Sequence, residues 1–169
     1  MKQKIVFFTR GPMGSGKSYW ARRYARRHKG VCIISSDAIR MRLLAPEDEY
    51  FSKEKEVWKI FYDEGQKAID DPNVREVIFD ATYLTDKALA RTLRHLNIPK
   101  EVKVVEVKIN TPLEKCYKQN ADRKGRAFVP NFVIEDAYNL FQINKTISWV
   151  RKRINETWEV GNDEQHLGE

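Results

Sequence analysis

The stretch "GPMGSGKS", residues 11–18, follows directly on the apolar run "KIVFFTR" and leads into "YWARRYARRH". An apolar run without polar alternation, here residues 3–9, reads as a strand buried on both faces. After the turn, Trp20, Tyr24 and Ala25 recur at helical spacing and can face inward while four arginines face out. Gly30 is placed to end that helix. The turn itself satisfies G-x-x-x-x-G-K-[ST], a pattern that average composition yields in about one chain of this length in two hundred. Strand, glycine turn and helix in this order aim backbone N–H groups and the positive helix end at one point, which suits a phosphate. Gly11, Gly14, Ser15 and Gly16 form the cradle. Lys17 adds a positive charge toward the β/γ oxygens, and Ser18 is the expected Mg²⁺ ligand. The donor is therefore expected to be a nucleoside triphosphate, ATP or another.

The rest of the chain alternates strand and helix signals. "VCIIS" reads as a second buried strand. Ser52 can cap a long helix through Val57, Phe61 and Ala68 that stops at Asp71-Pro72. "VREVIFDAT" is a third strand, and Thr85 can cap a helix through Leu89, Leu93 and Leu96. "KVVEVKIN" alternates, which predicts a strand with one wetter face near the sheet edge. In "TPLE", Thr111 caps, Pro112 comes first and Glu114 completes a capping box. "VPNFVIEDAYNLF" gives another helix. This alternation implies an α/β fold, a parallel sheet of the P-loop NTPase type sandwiched by helices, with a small helical lid. Residues 1–160 read as one domain holding a lid at about 112–130, and residues 161–169 as a polar, flexible tail.

A length of 169 residues suits one domain with a real core. No apolar run approaches the roughly 18 residues of a membrane helix, and the N-terminal run is too short for a signal peptide. Cys32 and Cys116 fit no metal spacing and read as reduced thiols, so a cytoplasmic protein is expected. The net charge of +7 attracts polyanions, although a solvated basic surface would look the same.

Asp37 in "SSDAIR" and Asp80 in "VIFDAT" close two strand signals, where ligands bind in open α/β sheets. Each alone can be a helix cap; two of them flanking one phosphate loop favour function. Transfer to a hydroxyl needs a base, for which Asp37 is the candidate. Arg40, three residues on, shares its helical face and can grip an acceptor phosphate, or be an ordinary surface arginine. Asp80 resembles a Walker B acid that holds Mg²⁺ through water. Arg123 and Arg126 flank Gly125 in "NADRKGRAFVP", which suits a lid closing over phosphates as well as a solvated basic loop.

Taken together, GPMGSGKSYWAR, SSDAIR, FDAT and NADRKGR with its following VP resemble the 5′-hydroxyl polynucleotide kinases of phage and bacterial end-repair systems, over residues 4–141. The resemblance implies ATP-dependent transfer of the γ-phosphate to a 5′-OH end of DNA or RNA. It implies Lys17 and Ser18 at the donor phosphates and Mg²⁺, and Asp37 as general base. It puts Arg40 on the phosphate beside the terminal nucleoside, Arg123 and Arg126 on the ATP phosphates, and Asp80 in a supporting place on the acceptor side. Tyr83 stands where relatives often have Asn, and Gln119 where an arginine is common.

The rival reading is a P-loop kinase of a nucleoside monophosphate or another small hydroxyl compound. The third-strand stretch "DATYLT" lacks the Asp-Gly-Phe-Pro-like sequence usual for nucleoside monophosphate kinases. A GTPase switch would need N-K-x-D, and "NKTI" lacks the Asp. In "WVRKRINETW", Ile147, Val150, Ile154 and Trp158 recur at helical spacing and predict a helix packed on the core. Arg151 and its neighbours are then either solvated or on a nucleic-acid backbone. Trp149 is expected to pack rather than to stack on a base.

Overall fold

The computed structural model describes residues 3–123, 125 and 128–161. Five strands are laid down in chain order: β1 (Ile5–Arg10), β2 (Val31–Ser35), β3 (Glu76–Asp80), β4 (Lys103–Asn110) and β5 (Glu156–Gly161). Seven helices are described between them: α1 (Lys17–Arg27), α2 (Ser36–Leu43), α3 (Glu54–Asp70), α4 (Asp86–His95), α5 (Leu113–Ala121), α6 (Asn131–Gln142) and α7 (Ser148–Arg153). The sheet order is β2-β3-β1-β4-β5 and every pair is parallel. The expected α/β fold of the P-loop NTPase type is therefore present.

Because strand side chains alternate faces, β1 divides its apolar residues between two cores. Val6 and Phe8 pack with Val77 and Phe79 of β3 and with α3, α4 and α7 on one face. Phe7 turns to the other face, with Ile78, Val105 and Trp20 and Ala21 of α1. Two buried faces are why these strands read as unbroken apolar runs.

Several local readings change. β2 is the sheet edge and only Ile34 in it is buried. β4 is internal, because β5 covers its far side; its polar alternation includes the buried Glu106. The helix expected through Trp158 stops at Arg153, and Trp158 lies on β5. Ala21 rather than Ala25 is the buried alanine of α1, whose C-cap is His28; Gly30 turns the chain two residues later. The α3 N-cap is Lys53, and the Ser52 hydroxyl donates to Glu49 O instead. Thr111 does not cap α5, whose N-cap is Pro112; its hydroxyl donates to Ser15 O at 2.6 Å. The Thr85 cap is as read, accepting from Ala88 N–H. Trp149 is 41% exposed, with the Arg94 guanidinium over its ring.

Arg151 is not merely solvated. It reaches Asp86 and Glu106, two carboxylates with fully buried side chains, which also bind the buried Arg10 at 3.0 and 3.1 Å. Asn144 and the Ile147 N–H complete the bonds to Asp86. Burial opposes ionisation of both acids. These donors outweigh it and hold both carboxyls below their usual range. The network ties α7 and β4 to the residue immediately before the glycine loop.

Candidate active site

β1 ends at Arg10, and the loop to α1 is held from two sides. Gly11 N–H donates to Thr82 O at 2.9 Å. On the other side Thr111, just before α5, donates to Ser15 O, and Gln119 of α5 donates to Gly14 O. Gly14 has φ +80°, and a Cβ there would sit 2.5 Å from Cys116 O. Glycine is thus required both for the backbone conformation and for the approach of α5. The signal for this contact was present as Gln119, which departs from the arginine common in the resembling kinases.

Lys17 lies at the first position of α1, and its Nζ donates back to Pro12 O at 2.9 Å, across the loop. Burial lowers its pKa, opposed by the charges of Asp80 and Asp37. Ser18 Oγ donates to Asp80 Oδ2 at 2.6 Å, and Thr9 Oγ1 lies 3.3 Å from Asp80 Oδ1. Burial pushes the Asp80 carboxyl up, against the bonds from Ser18 and the charge of Lys17. A hydroxyl and a carboxylate held together at the start of the helix after a phosphate loop are hard oxygen donors, the set that Mg²⁺ prefers. The site residues fit that ion. Asp80 thus stands beside Ser18 in the cleft.

Asp37 is the second residue of α2, whose N-cap Ser35 accepts from Ala38 N–H at 3.2 Å. Its Oδ1 accepts from the Tyr50 hydroxyl and from Arg40 Nη1, each at 2.6 Å. Its Oδ2 faces Arg123 Nη2 at 3.7 Å, and the side chain is half exposed. Arg40 is buried and is also gripped in fork fashion by Glu54, at 2.6 and 2.7 Å. All three of its nitrogens are engaged within the protein, so here it orients Asp37. Burial and the bond to Asp37 push the Tyr50 hydroxyl up to about 12, so it remains a donor at neutral pH.

Arg123 follows α5, where the Asn120 amide exchanges two hydrogen bonds with the backbone of Val129. Those bonds clasp the base of the segment between them. Arg126 lies outside the described residues. Tyr83, buried, has φ +41°; Arg10 Nε holds its carbonyl at 2.8 Å, while the neighbouring Thr82 and Leu84 line the cleft.

Gly14, Gly16, Lys17, Ser18, Asp37, Arg40, Asp80 and Arg123 all line one cleft of about 500 Å³. Gly11 and the buried Ser15 support the loop from behind. Tyr50, Phe51 and Glu54 also line the cleft without any sequence signal that pointed to them, as does Arg22, from the basic stretch "ARRYARRH" that could track a nucleic-acid backbone. The run "DEYFSKE" before α3 offered no spacing that tied it to Asp37.

A five-stranded parallel sheet with a glycine loop at the end of β1 defines a P-loop NTPase-type domain, a nucleotide-binding class. The chain belongs to the AAA domain family, whose profile matches residues 6–143. Among solved structures it is similar to a chain of the Pnkp1/Rnl/Hen1 RNA repair complex, with a TM-score of 0.68 at 20% identity over 92% of this chain and 47% of that one. A fungal RNA kinase matches with a TM-score of 0.60 at 15% identity, over 94% of this chain and 38% of that one. A sugar kinase from Janibacter sp. HTCC2649 matches with a TM-score of 0.61 at 16% identity, over 98% and 90%. The chain thus spans less than half the length of the two RNA-processing proteins and nearly all of the sugar kinase. No helix among the described residues is long and apolar enough to cross a membrane.

Proposed function

We propose that the protein is an ATP-dependent polynucleotide 5′-hydroxyl kinase. The observation that carries the reading is Asp37: Tyr50 and Arg40 occupy one carboxylate oxygen and leave Oδ2 turned toward Arg123, in the cleft that Lys17 and Ser18 also line. A hydroxyl entering that cleft hydrogen-bonds to Oδ2. Its proton passes to Asp37 as its oxygen bonds to the γ-phosphorus and the bond from that phosphorus to the β,γ-bridging oxygen breaks, releasing ADP. Lys17 and Arg123 supply fixed positive charge where negative charge accumulates on the transferring group. Ser18 and Asp80 would hold Mg²⁺, which neutralises phosphate charge when bound.

The order of the four motifs and the +7 charge support a nucleic-acid acceptor. So does Arg22, which lines the cleft and forms no ion pair among the described residues. With Arg40 engaged by Glu54 and with Lys17 and Arg123 assigned to the transferring group, Arg22 is the remaining cation of the cleft for an acceptor phosphodiester. The 90% coverage of a sugar kinase supports the second reading, a small hydroxyl substrate.

A length and salt series tests the proposal. Extending a 5′-OH oligonucleotide from one to about four nucleotides should raise kcat/KM and then saturate. Log affinity should fall with log salt at a slope of roughly −1.5 to −3, for two to four neutralised phosphates. A small-substrate kinase would show neither trend.

A further inference from the structure

Beside Asp37 the cleft carries an aromatic side chain that phosphoryl transfer does not use. Phe51 lines the cleft yet is 59% exposed. It is nevertheless held. The Tyr50 ring meets it edge-on at 4.8 Å, and the Arg40 guanidinium carbon lies 5.1 Å from its centroid. The turn carrying it is ordered by its own bonds: Asp48 accepts from Ala45 N–H at 2.8 Å, and Ser52 N–H donates to Glu49 O at 3.1 Å. Lys53 Nζ bonds Leu43 O at 3.1 Å, fastening the turn to the end of α2.

A phenylalanine held by two neighbours and still more than half exposed offers the uncovered part of its ring to a ligand. Its chain neighbour Tyr50 bonds the catalytic carboxylate, so whatever rests on the ring is close to the reacting hydroxyl. No charged group is needed to bind a flat apolar surface, and every nucleobase has one.

We infer that Phe51 is the stacking platform for the base of the acceptor's 5′-terminal nucleotide. The inference rests on the polynucleotide reading and names its specificity residue. Tyr50 sets the hydroxyl's base and Phe51 seats the adjoining nucleobase, so one turn of chain links chemistry to recognition.

The test compares two 5′-OH oligonucleotides of about six nucleotides, one with a normal 5′-terminal nucleotide and one abasic at that position, in the intact chain and in Phe51→Ala and Phe51→Trp. The wild type should prefer the base-bearing end through KM. Phe51→Ala should raise KM for that end by about tenfold, the effect expected from losing an aromatic partner, and leave KM for the abasic end and for ATP unchanged. Phe51→Trp should restore the preference. If the wild type phosphorylates both ends equally well, the platform is refuted and the polynucleotide reading stands. If Phe51→Ala impairs both ends and ATP alike, Phe51 is structural and the inference is overturned. If no oligonucleotide is phosphorylated while a sugar or nucleoside monophosphate is, the underlying reading fails and the platform with it.

Discussion

Tyr50 donates its hydroxyl hydrogen bond to Asp37 on the same carboxylate oxygen that accepts from Arg40. Two donors on Oδ1 fix the carboxylate's rotation, so Oδ2 meets the substrate in one orientation. Asp37→Asn should therefore lower turnover by about 10²–10⁴ while KM for ATP changes little, since an amide keeps the shape and cannot take the proton. Tyr50→Phe should cost about tenfold in kcat, near the lower end of the value of a hydrogen bond to a charged group. Steady-state kinetics of both variants check this. An active Asp37→Asn beside a dead Asp80→Asn would show that the base belongs to the strand that ends in Asp80 instead.

Lys17→Ala should lose about 10²–10³ in rate with the fold intact, because the proposed mechanism puts its ammonium on the charge that develops in the transition state. Circular dichroism and rate measurement together check it. A variant keeping more than half the wild-type rate would remove the loop from the mechanism.

Arg123→Ala should damage the chemical step more than Arg126→Ala. Arg123 faces Asp37 Oδ2 across the cleft, and a cation on the transferring group can be worth roughly 10³. Single-turnover rates decide the order, and the reverse order would shift the lid register by three residues.

The buried network makes a stability prediction. Asp86→Ala leaves Arg10 buried without one of its acids, which should cost about 3–5 kcal/mol in urea unfolding at pH 7. Both acids have lowered pKa values when folded. Their contribution is therefore full above the ordinary carboxylate range, about pH 4–5, and fades as pH falls through the lower folded values. The gap between wild type and variant should narrow in acid. An equal gap at pH 7 and at pH 3 would contradict the assignment.

The glycine loop, the parallel sheet and the neighbourhood of Asp37, Asp80 and Arg123 were legible because they depend on local signals: apolar runs, turn glycines and acids at strand ends. What lay beyond reach depends on tertiary pairing. Trp158 follows Ile154 by four residues, which fits a helix as well as it fits a new strand. β5 then hid the true edge and made β4 look peripheral. Arg151 looked like one cation in a basic run, because its acids are 65 and 45 residues away. Thr111 bonds the glycine loop rather than its own helix for the same reason. Tyr50 and Glu54 reach Asp37 and Arg40 only through the fold of the turn before α3.

The most direct measurement supplies γ-labelled ATP and Mg²⁺ to the protein with a panel of acceptors at equal concentration: 5′-OH oligonucleotides, 3′-nucleotides, nucleoside monophosphates and gluconate. Label should go to the 5′-OH ends, with kcat/KM for a short oligonucleotide above that of any small acceptor. A nucleoside monophosphate or gluconate labelled faster than every 5′-OH oligonucleotide would contradict it.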